Sequence, residues 1–386
     1  MSVYLDHAAT TPVLPEVVEY LSEIMLGYWG NASSLHFEGQ KARKLYKEAK
    51  QIIADNINAD YDEITFTSGG TEADNLAVLG YLKAIRSEFP DKNHIITTQI
   101  EHEAIIETFN ELSNNGYIVD FAPVDEYGIV DLDYLKEKIT DKTAICSVMY
   151  ANNEVGTIEP LKDIAEICHK ANCIFHTDAV QAAGKVAIDV RALGVDMLSA
   201  SAHKFYGPKG VGFLYIKKGI PVKPVVFGGG HENGLRSGTE NIHGIAAMAK
   251  AFDITNKHLT LKADVYNKWV EQILKTCESI GGVKVNGHPK RRTPGTLSLS
   301  FSGINGEALM GMLSMDEIAV STASACSSHS HKKGGSHVLK AMNCSDEFIN
   351  GTIRVVMGYD NNDEQIDLFC EKLKERVELL RRLSNG

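Results

Sequence analysis

The stretch SASAHKFYGPKG (199–210) places one lysine, Lys204, between two apolar runs of strand length, VDMLSA (195–200) and GVGFLYI (210–216). Serine hydroxyls and an imidazole come shortly before this lysine in the sequence. Two buried strands joined by a short polar turn are typical of a layered α/β sheet. The stretch alone leaves two interpretations open: a turn that carries a solvated lysine, or a chemically active amine at the end of a strand.

Short apolar runs and helical stretches alternate through the first two thirds of the chain. Further predicted strands are EITF (63–66), HIITT (94–98), YIVDFA (117–122), AICSVMY (144–150) and CIFHTD (173–178). Helical patterns cover 36–57, 71–85, 102–112 and 160–171. Helices that alternate with nearly continuous apolar strands indicate an α/β fold, a mostly parallel mixed sheet flanked by helices.

The last third of the chain has a different pattern. A long charged amphipathic helix is predicted over 257–280, strands over 296–303 and 351–358, and a final helix over 363–383. The run at 296–303 alternates as a half-exposed strand does. We therefore predict a large α/β domain over 13–255 and a smaller α+β domain over 256–386, joined by an N-terminal segment, 1–12.

Composition excludes several classes of protein. The net charge of −11 disfavours an extended nucleic-acid or anionic-membrane surface. No apolar run approaches the roughly 18 residues of a membrane helix, and the first residues do not resemble a signal peptide. Seven scattered cysteines without a Cys-x-x-Cys pair are typical of reduced thiols rather than of a disulfide framework. We expect a cytoplasmic protein that binds neither membrane nor nucleic acid directly.

Two motifs supply polar groups at the ends of predicted strands. TSGGTEADN (67–75) follows a strand and opens a helix, so its unpaired N–H groups can bind an anion; an ordinary N-cap with a glycine turn is the alternative. Asp178 ends the strand 173–178, and a buried carboxylate there needs a hydrogen-bond donor or a cation as its partner. A structural salt bridge is the alternative to a cofactor site. Together with Lys204, these motifs form the set that pyridoxal phosphate requires: a phosphate site, an acid for the pyridine nitrogen and a Schiff-base lysine.

At this point a family resemblance is evident along nearly the whole chain. The chain resembles the cysteine desulfurases of the NifS/IscS class, which are class V aminotransferases of fold type I with pyridoxal phosphate as cofactor. The matching motifs are YLDHAATTP (4–12), GNASSLH (30–36), FTSGGTEADNLA (66–77), EHEA (101–104), NNEVGTIEP (152–160), HTDAVQ (176–181), SAHKFYGPKG (201–210), GGGHENGLRSGTEN (228–241), STASACSS (321–328) and IRVVMG (353–358). Each motif is weak alone, but ten in the order of the family are specific.

The resemblance implies how the cofactor is held. Lys204 forms the Schiff base, His102 stacks on the cofactor ring and moves protons, and Asp178 pairs with the pyridine nitrogen. Gln181 is expected at the phenolic oxygen of the ring. The remaining positions that match cofactor-binding residues of the family are Gly70, Thr71, Asn153, Ser201, His203 and Thr239.

The resemblance also implies a substrate site and a second subunit. Arg354 matches the residue that binds the substrate carboxylate, a role that suits a planar guanidinium with two parallel N–H donors. Asn153 matches a residue beside both cofactor and substrate. Thr239 matches a residue that reaches the phosphate in the neighbouring subunit, which implies a homodimer.

Cys326 differs from the other cysteines in its sequence context. It lies in STASACSSHSHKKGGSHV (321–338), a small, polar, glycine-containing stretch that is predicted to be a mobile loop, and nearby lysines and histidines favour its thiolate. The resemblance makes Cys326 the nucleophile that forms a persulfide. His329, His331 and His337 with Cys326 would be an alternative zinc site, but their spacing matches no structural zinc pattern, so we predict no metal.

These expectations define the predicted function. The protein is expected to convert L-cysteine to L-alanine, to store the sulfur on Cys326 as a persulfide, and to pass it to an acceptor protein. The acceptor would serve iron–sulfur cluster assembly, tRNA thiolation or cofactor biosynthesis. Two alternatives remain: a selenocysteine lyase or another fold-type I enzyme such as an aminotransferase, and a non-catalytic metal-binding scaffold.

Overall fold

A computed structural model describes residues 2–322 and 335–384. Within these ranges the strands are β1 Val3–Tyr4, β2 Ile64–Thr67, β3 His94–Thr98, β4 Ile118–Ala122, β5 Thr143–Ser147, β6 Ile174–Asp178, β7 Met197–Ser201, β8 Gly212–Ile216, β9 Val283–Asn286, β10 Thr296–Phe301, β11 Ile318–Ala319, β12 Ser321–Thr322 and β13 Thr352–Val356.

The helices of the described part are α1 Pro15–Gly27, α2 Phe37–Asn56, α3 Gly70–Ile85, α4 Glu103–Asn114, α5 Leu132–Lys138, α6 Leu161–Lys170, α7 Val190–Leu193, α8 Ile242–Lys257, α9 Leu259–Ile280, α10 Gly306–Met315, α11 His337–Ala341, α12 Asp346–Asn350 and α13 Asp363–Ser384. Short 3₁₀ turns cover Tyr61–Glu63, Ala202–Lys204 and Glu232–Gly234. No helix of the described part is long and apolar enough to cross a membrane.

A seven-stranded sheet forms the centre of the N-terminal part. Its strand order is β2-β8-β7-β6-β5-β3-β4, and β8 alone runs antiparallel to both of its neighbours. Successive side chains of β7 point to opposite faces: Met197 packs in the core beneath α3 and α4, while Leu198 packs in the core beneath α1, α2 and α8. The sheet is therefore covered by helices on both faces, which confirms the predicted α/β fold class.

The C-terminal part contains a second, four-stranded antiparallel sheet with the order β12-β13-β10-β9. The N-terminal segment contacts both parts of the chain. Val3 pairs with Ile318 of β11, whereas Thr11 donates its backbone N–H to the carbonyl of His203 at 2.9 Å. The division into domains at 255/256, with 1–12 as the joining segment, stays a prediction.

Three features of the fold differ from the sequence-based expectations. The helices α1, α5, α7, α8, α10, α11 and α12 were not predicted. The predicted strand 144–150 ends earlier, at Ser147, and the backbone N–H of Met149 is bound by Oε1 of Glu101 at 2.9 Å. β10 is fully buried rather than half-exposed, since its alternating serine hydroxyls are bound by Nδ2 of Asn286. Internal partners replace water there, so the alternation of polar residues misled the prediction.

Candidate active site

A crevice opens where several strands of the seven-stranded sheet end. β6 ends at Asp178 and β7 at Ser201, while β2 leads through two glycines into α3. The volume of the crevice is about 730 Å³ including its open mouth. It is lined by Ala8, Gly70, Thr71, Asp74, His102, Met149, Ala151, Asn153, Asp178, Val180, Gln181, Ser201, His203, Lys204 and Arg354. It brings together every predicted site residue except Thr239 and Cys326.

The N-terminus of α3 forms one end of the crevice. Gly69, the residue before the helix, has a φ of +155° and supplies no side-chain cap, so the first N–H groups of this 16-residue helix stay available. A Cβ atom added to Gly70 would lie 2.6 Å from Cγ2 of Val180. Only glycine fits this position, and the available backbone donors suit an anion.

Lys204 lies on the 3₁₀ turn that follows β7. Its Nζ donates hydrogen bonds to the carbonyl oxygens of Ala8 at 2.6 Å and Ala9 at 2.7 Å. The neighbouring His203 bonds Oγ1 of Thr10 through Nδ1 at 3.1 Å. Burial, then the charges of Lys204 and Lys209, lower the pKa of His203 to about 4, so this imidazole is neutral near pH 7.

Asp178 is a buried carboxyl group near His102 and Lys204. Its Oδ1 accepts the backbone N–H of Val180 at 2.8 Å. Burial raises the pKa of Asp178, while His102, the Val180 hydrogen bond and Lys204 act in the opposite direction. His102 accepts the N–H of Ala104 through Nδ1 at 3.1 Å, so Nε2 is the ring nitrogen left to donate a hydrogen bond.

Asp74 is a second buried carboxyl group in the crevice, and sequence reasoning missed it. It lies one helical turn after Gly70 on α3, and this i,i+4 spacing was the signal that would have found it. Its Oδ1 lies 3.6 Å from Nε2 of His176. Burial, followed by the charge of Asp178, raises the pKa of Asp74 well above its usual range. Because the nearby cations favour ionised Asp178, Asp74 is the carboxyl group that keeps its proton.

We expect Asp74→Asn to stabilise the apoenzyme at pH 8. The folded-state pKa of Asp74 lies above its unfolded value, so its contribution to stability falls as the pH rises above about 4. Asparagine removes this penalty, and the thermal midpoint should rise by roughly 2 °C or more at pH 8 and by less at pH 5. The exposed Asp91→Asn is the control. An unchanged or lower midpoint at pH 8 would show that Asp74 is ionised in the folded protein.

Arg354 projects from β13 into the crevice. Its Nη1 donates to the carbonyl of Asn153 at 2.9 Å and its Nη2 to Oδ1 of Asp6 at 2.8 Å. Its buried Nε has no hydrogen-bond partner among the residues that the structure describes. A buried donor of this kind suits an anionic ligand.

The two remaining predicted residues lie elsewhere. Thr239 is exposed on the segment that precedes α8. Cys326, His329 and His331 lie outside the described residues, so nothing about their placement follows from the structure. His337 begins α11 and bonds the carbonyl of Glu101 through Nε2 at 3.0 Å. The predicted loop 321–338 was therefore too long, because Ser321–Thr322 form β12 and residue 337 is helical.

The described residues on both sides of the segment 323–334 contact residues beside the crevice. On one side, Ser321 of β12 pairs with Arg354 of β13. On the other, the Ser336 hydroxyl caps α11 and donates a short hydrogen bond to the buried carboxyl group of Glu154, next to Asn153.

Fold and crevice together define the class of fold-type I pyridoxal-phosphate enzymes. The family model for aminotransferase class-V matches residues 3–369. Cysteine desulfurase IscS of Clostridium botulinum strain Hall is 43% identical over 386 residues, which cover 99% of this chain and 96% of the relative. The solved structure of a NifS-like protein has a TM-score of 0.92 at 37% identity, with 98% of this chain and 100% of that chain covered. A structure titled SspA in complex with cysteine has a TM-score of 0.80 at 31% identity, covering 92% and 99%.

The chain therefore belongs to the aminotransferase class-V family, among its IscS- and NifS-like cysteine desulfurases. This confirms the resemblance drawn from the ten motifs. The residues present also fit the family's cofactor: α3 presents backbone N–H groups beside a neutral imidazole, a carboxyl group ends β6, and an amine ends the turn after β7. The first N–H groups of α3, which no side chain caps, are consistent with a close approach of phosphate to the backbone.

Proposed function

We propose that this protein is a pyridoxal-phosphate-dependent cysteine desulfurase that moves the sulfur of L-cysteine onto Cys326. The reaction balances as L-cysteine plus a protein thiol giving L-alanine plus a protein persulfide. The observation that carries the proposal is the single crevice lined by Lys204, Asp178 and Arg354 at the N-terminus of α3. An amine, an acid, a carboxylate-binding guanidinium and an anion site are the groups that this reaction needs.

Residues at the ends of several strands and helices would hold the cofactor. The N–H groups of α3 with Thr71, Ser201 and His203 would bind its phosphate, and Asp178 its ring nitrogen. The residues assigned to its ring and its aldehyde are His102, Gln181 and Lys204. When bound, pyridoxal phosphate supplies an aldehyde that condenses with amines and a ring that accepts the electron pair of the substrate α-carbon.

The chain's own groups orient the substrate and move its protons. Arg354 binds the substrate carboxylate through Nε, which has no partner among the described residues, and through the adjacent edge of its guanidinium group. Asn153 lies beside it. Binding of the carboxylate fixes the substrate α-carbon near Lys204. Nζ of Lys204 takes the α-proton and returns it, and Nε2 of His102 is the second site that can carry a proton. The neutral Asp74 adds no second negative charge against Asp178.

Cys326 is the proposed sulfur acceptor within the chain. Its thiolate attacks the substrate sulfur, the carbon–sulfur bond breaks, and the electron pair stays on the substrate carbon, which takes up a proton to become the methyl group of alanine. The pairing of Ser321 with Arg354 supports this assignment, because Ser321 is five residues before Cys326 in the sequence and lies beside the residue proposed to hold the substrate carboxylate. The Ser336–Glu154 contact supports it from the other end of the segment.

A homodimer with Thr239 at the phosphate of the neighbouring subunit is part of the proposal. Large apolar side chains are exposed at the end of α1, in the connection to α2 and at the start of α2, namely Leu26, Trp29, Leu35 and Phe37. The His243 side chain bonds the carbonyl of Tyr28 at 3.1 Å and so ties α8 to the end of α1. An apolar surface of this kind supports a subunit interface, with the exposed Thr239 nearby in the sequence.

The persulfide would then pass to a cytoplasmic acceptor protein. The proposed acceptors are those of iron–sulfur cluster assembly, tRNA thiolation or cofactor biosynthesis. A covalent persulfide supports direct transfer to another thiol, since a thiolate can attack the outer sulfur.

The proposed function is tested by the products formed from L-cysteine. With cofactor and a thiol reductant, we expect alanine and sulfide in equal amounts. Without reductant and with one equivalent of L-cysteine per subunit, alanine should be matched by an equal amount of protein-bound sulfur, because no other thiol is present to clear the persulfide. Pyruvate in place of alanine, or turnover of L-selenocysteine with none of L-cysteine, would contradict the proposal and favour another fold-type I activity.

A further inference from the structure

Lys185 lies behind the crevice and has no role in the reaction described so far. It follows Gly184, whose φ is +72° and whose missing Cβ leaves room for Cβ of Phe205, 2.5 Å from the position a Cβ would take. This glycine turn after β6 brings Lys185 to a second, small crevice, which His7, Tyr206 and Lys262 also line.

A row of hydrogen bonds connects Lys185 with Lys204. Nζ of Lys185 donates to Oε1 of Gln181 at 2.8 Å, and Nε2 of Gln181 donates to the carbonyl of Ala8 at 2.9 Å. The same Ala8 carbonyl accepts from Nζ of Lys204 at 2.6 Å. Gln181 therefore lies between the two lysines. The oxygen of its amide group is bound by Lys185, and the nitrogen is bound to the Ala8 carbonyl.

The partners of Gln181 determine which way its amide group points. An ammonium group only donates hydrogen bonds and a carbonyl only accepts them, so Oε1 must face Lys185 and Nε2 must face Ala8. Gln181 lines the main crevice, and the second N–H of its amide is the group it can offer there. Without the lysine, only the contact with the Ala8 carbonyl would hold the amide in this orientation.

The surroundings of Lys185 make its presence costly. Among the described residues it has no acidic partner, and its one hydrogen bond goes to a neutral amide. Burial, followed by the charges of Lys204 and Arg354, lowers the pKa of Lys185 to about 7. A lysine that lowers the stability of the fold at this position calls for a functional explanation.

We propose that Lys185 is a positioning residue that holds Gln181 as an N–H donor toward the phenolic oxygen of bound pyridoxal phosphate. The inference rests on the proposed function in assigning that oxygen to Gln181. Lys185 touches neither substrate nor cofactor, and it acts only through the amide. Its removal should therefore affect recognition of one cofactor atom and leave the rest of the cofactor site intact.

The test compares two cofactors on apoenzyme: pyridoxal phosphate and 3-deoxypyridoxal phosphate, which lacks the phenolic oxygen. Wild type should bind pyridoxal phosphate at least about tenfold more tightly than the deoxy compound, the effect of one charge-assisted hydrogen bond. In Lys185→Met this preference should fall to about twofold or less, because the amide then keeps only one of the two contacts that fix its donor. Lys185→Arg, which only donates, should restore it.

Lys262→Met is the matched control, since Lys262 lines the same second crevice but lies over the Tyr359 ring at 4.4 Å. It should keep the wild-type preference. Lys185→Gln serves if the methionine variant does not fold, and it should lose most of the preference because its amide can also accept. In the pH titration of the bound cofactor's absorbance, Lys185→Met should move the midpoint upward, because a proton is easier to add where a positive charge and a donor are lost.

An unchanged cofactor preference in Lys185→Met, an equal loss in Lys262→Met, or no preference in wild type would each overturn the inference. The result is separate from the proposed function. If wild type distinguishes the two cofactors through Lys185 but releases no alanine from L-cysteine, the proposed reaction fails and the role of Lys185 stands.

Discussion

Lys204→Ala is expected to lower alanine formation from L-cysteine by at least about a thousandfold. The variant loses both the amine assigned to the cofactor aldehyde and the group that takes the α-proton of the substrate. No neighbouring side chain replaces it, because Lys185, the next lysine in this region, is held behind Gln181 by a 2.8 Å hydrogen bond. Activity is measured as alanine released from L-cysteine, with cofactor supplied in excess.

The matched control is Lys209→Ala, five residues further along the chain and exposed. It should keep activity near that of wild type, because it removes a lysine without altering the end of β7. If Lys204→Ala retained more than about a tenth of wild-type activity, Lys204 would be excluded from both of its assigned roles.

Cys326→Ala is expected to abolish protein-bound sulfur and to lower alanine formation by at least about a hundredfold. The crevice contains no cysteine among its lining residues, so nothing described there can take the sulfur in place of Cys326. The variant should still bind the cofactor, since Asp178, Lys204 and the N-terminus of α3 are unchanged. Bound sulfur is measured by intact mass after incubation with L-cysteine, and alanine in the same sample.

Cys370→Ala is the control for this variant, because Cys370 lies on α13 in the separate C-terminal core. It should load sulfur as wild type does. Equal sulfur loading in Cys326→Ala and wild type would remove Cys326 from the mechanism. Full activity on another amino acid with no sulfur loading would favour an aminotransferase, which needs no cysteine nucleophile.

Much of the site was predictable because its residues follow strands with clear sequence patterns. Asp178 ends one apolar run, Lys204 follows another by a few residues, and α3 begins at a glycine pair. Because the strands of a parallel sheet end at the same edge, these groups were expected to lie together. The seven-stranded sheet was predictable for the same reason, since helices and buried strands alternate along the chain.

Other parts of the site depend on contacts that no local pattern encodes. The Ala8 carbonyl, which accepts from both Gln181 and Lys204, precedes these residues by 173 and 196 positions in the sequence. The i,i+4 spacing places Asp74 on the same face of α3 as Gly70, but only the fold places it near Asp178. The burial of β10 depends on Asn286 of a neighbouring strand, which satisfies serines that alone indicate exposure.

The most direct test of the account is the site of covalent cofactor attachment. Holoenzyme reduced with borohydride and digested should carry the cofactor mass on one peptide, at Lys204, in wild type and in Lys185→Met alike. Cofactor mass on Lys185 or another lysine, or no modified lysine in an enzyme that releases alanine from L-cysteine, would contradict the account.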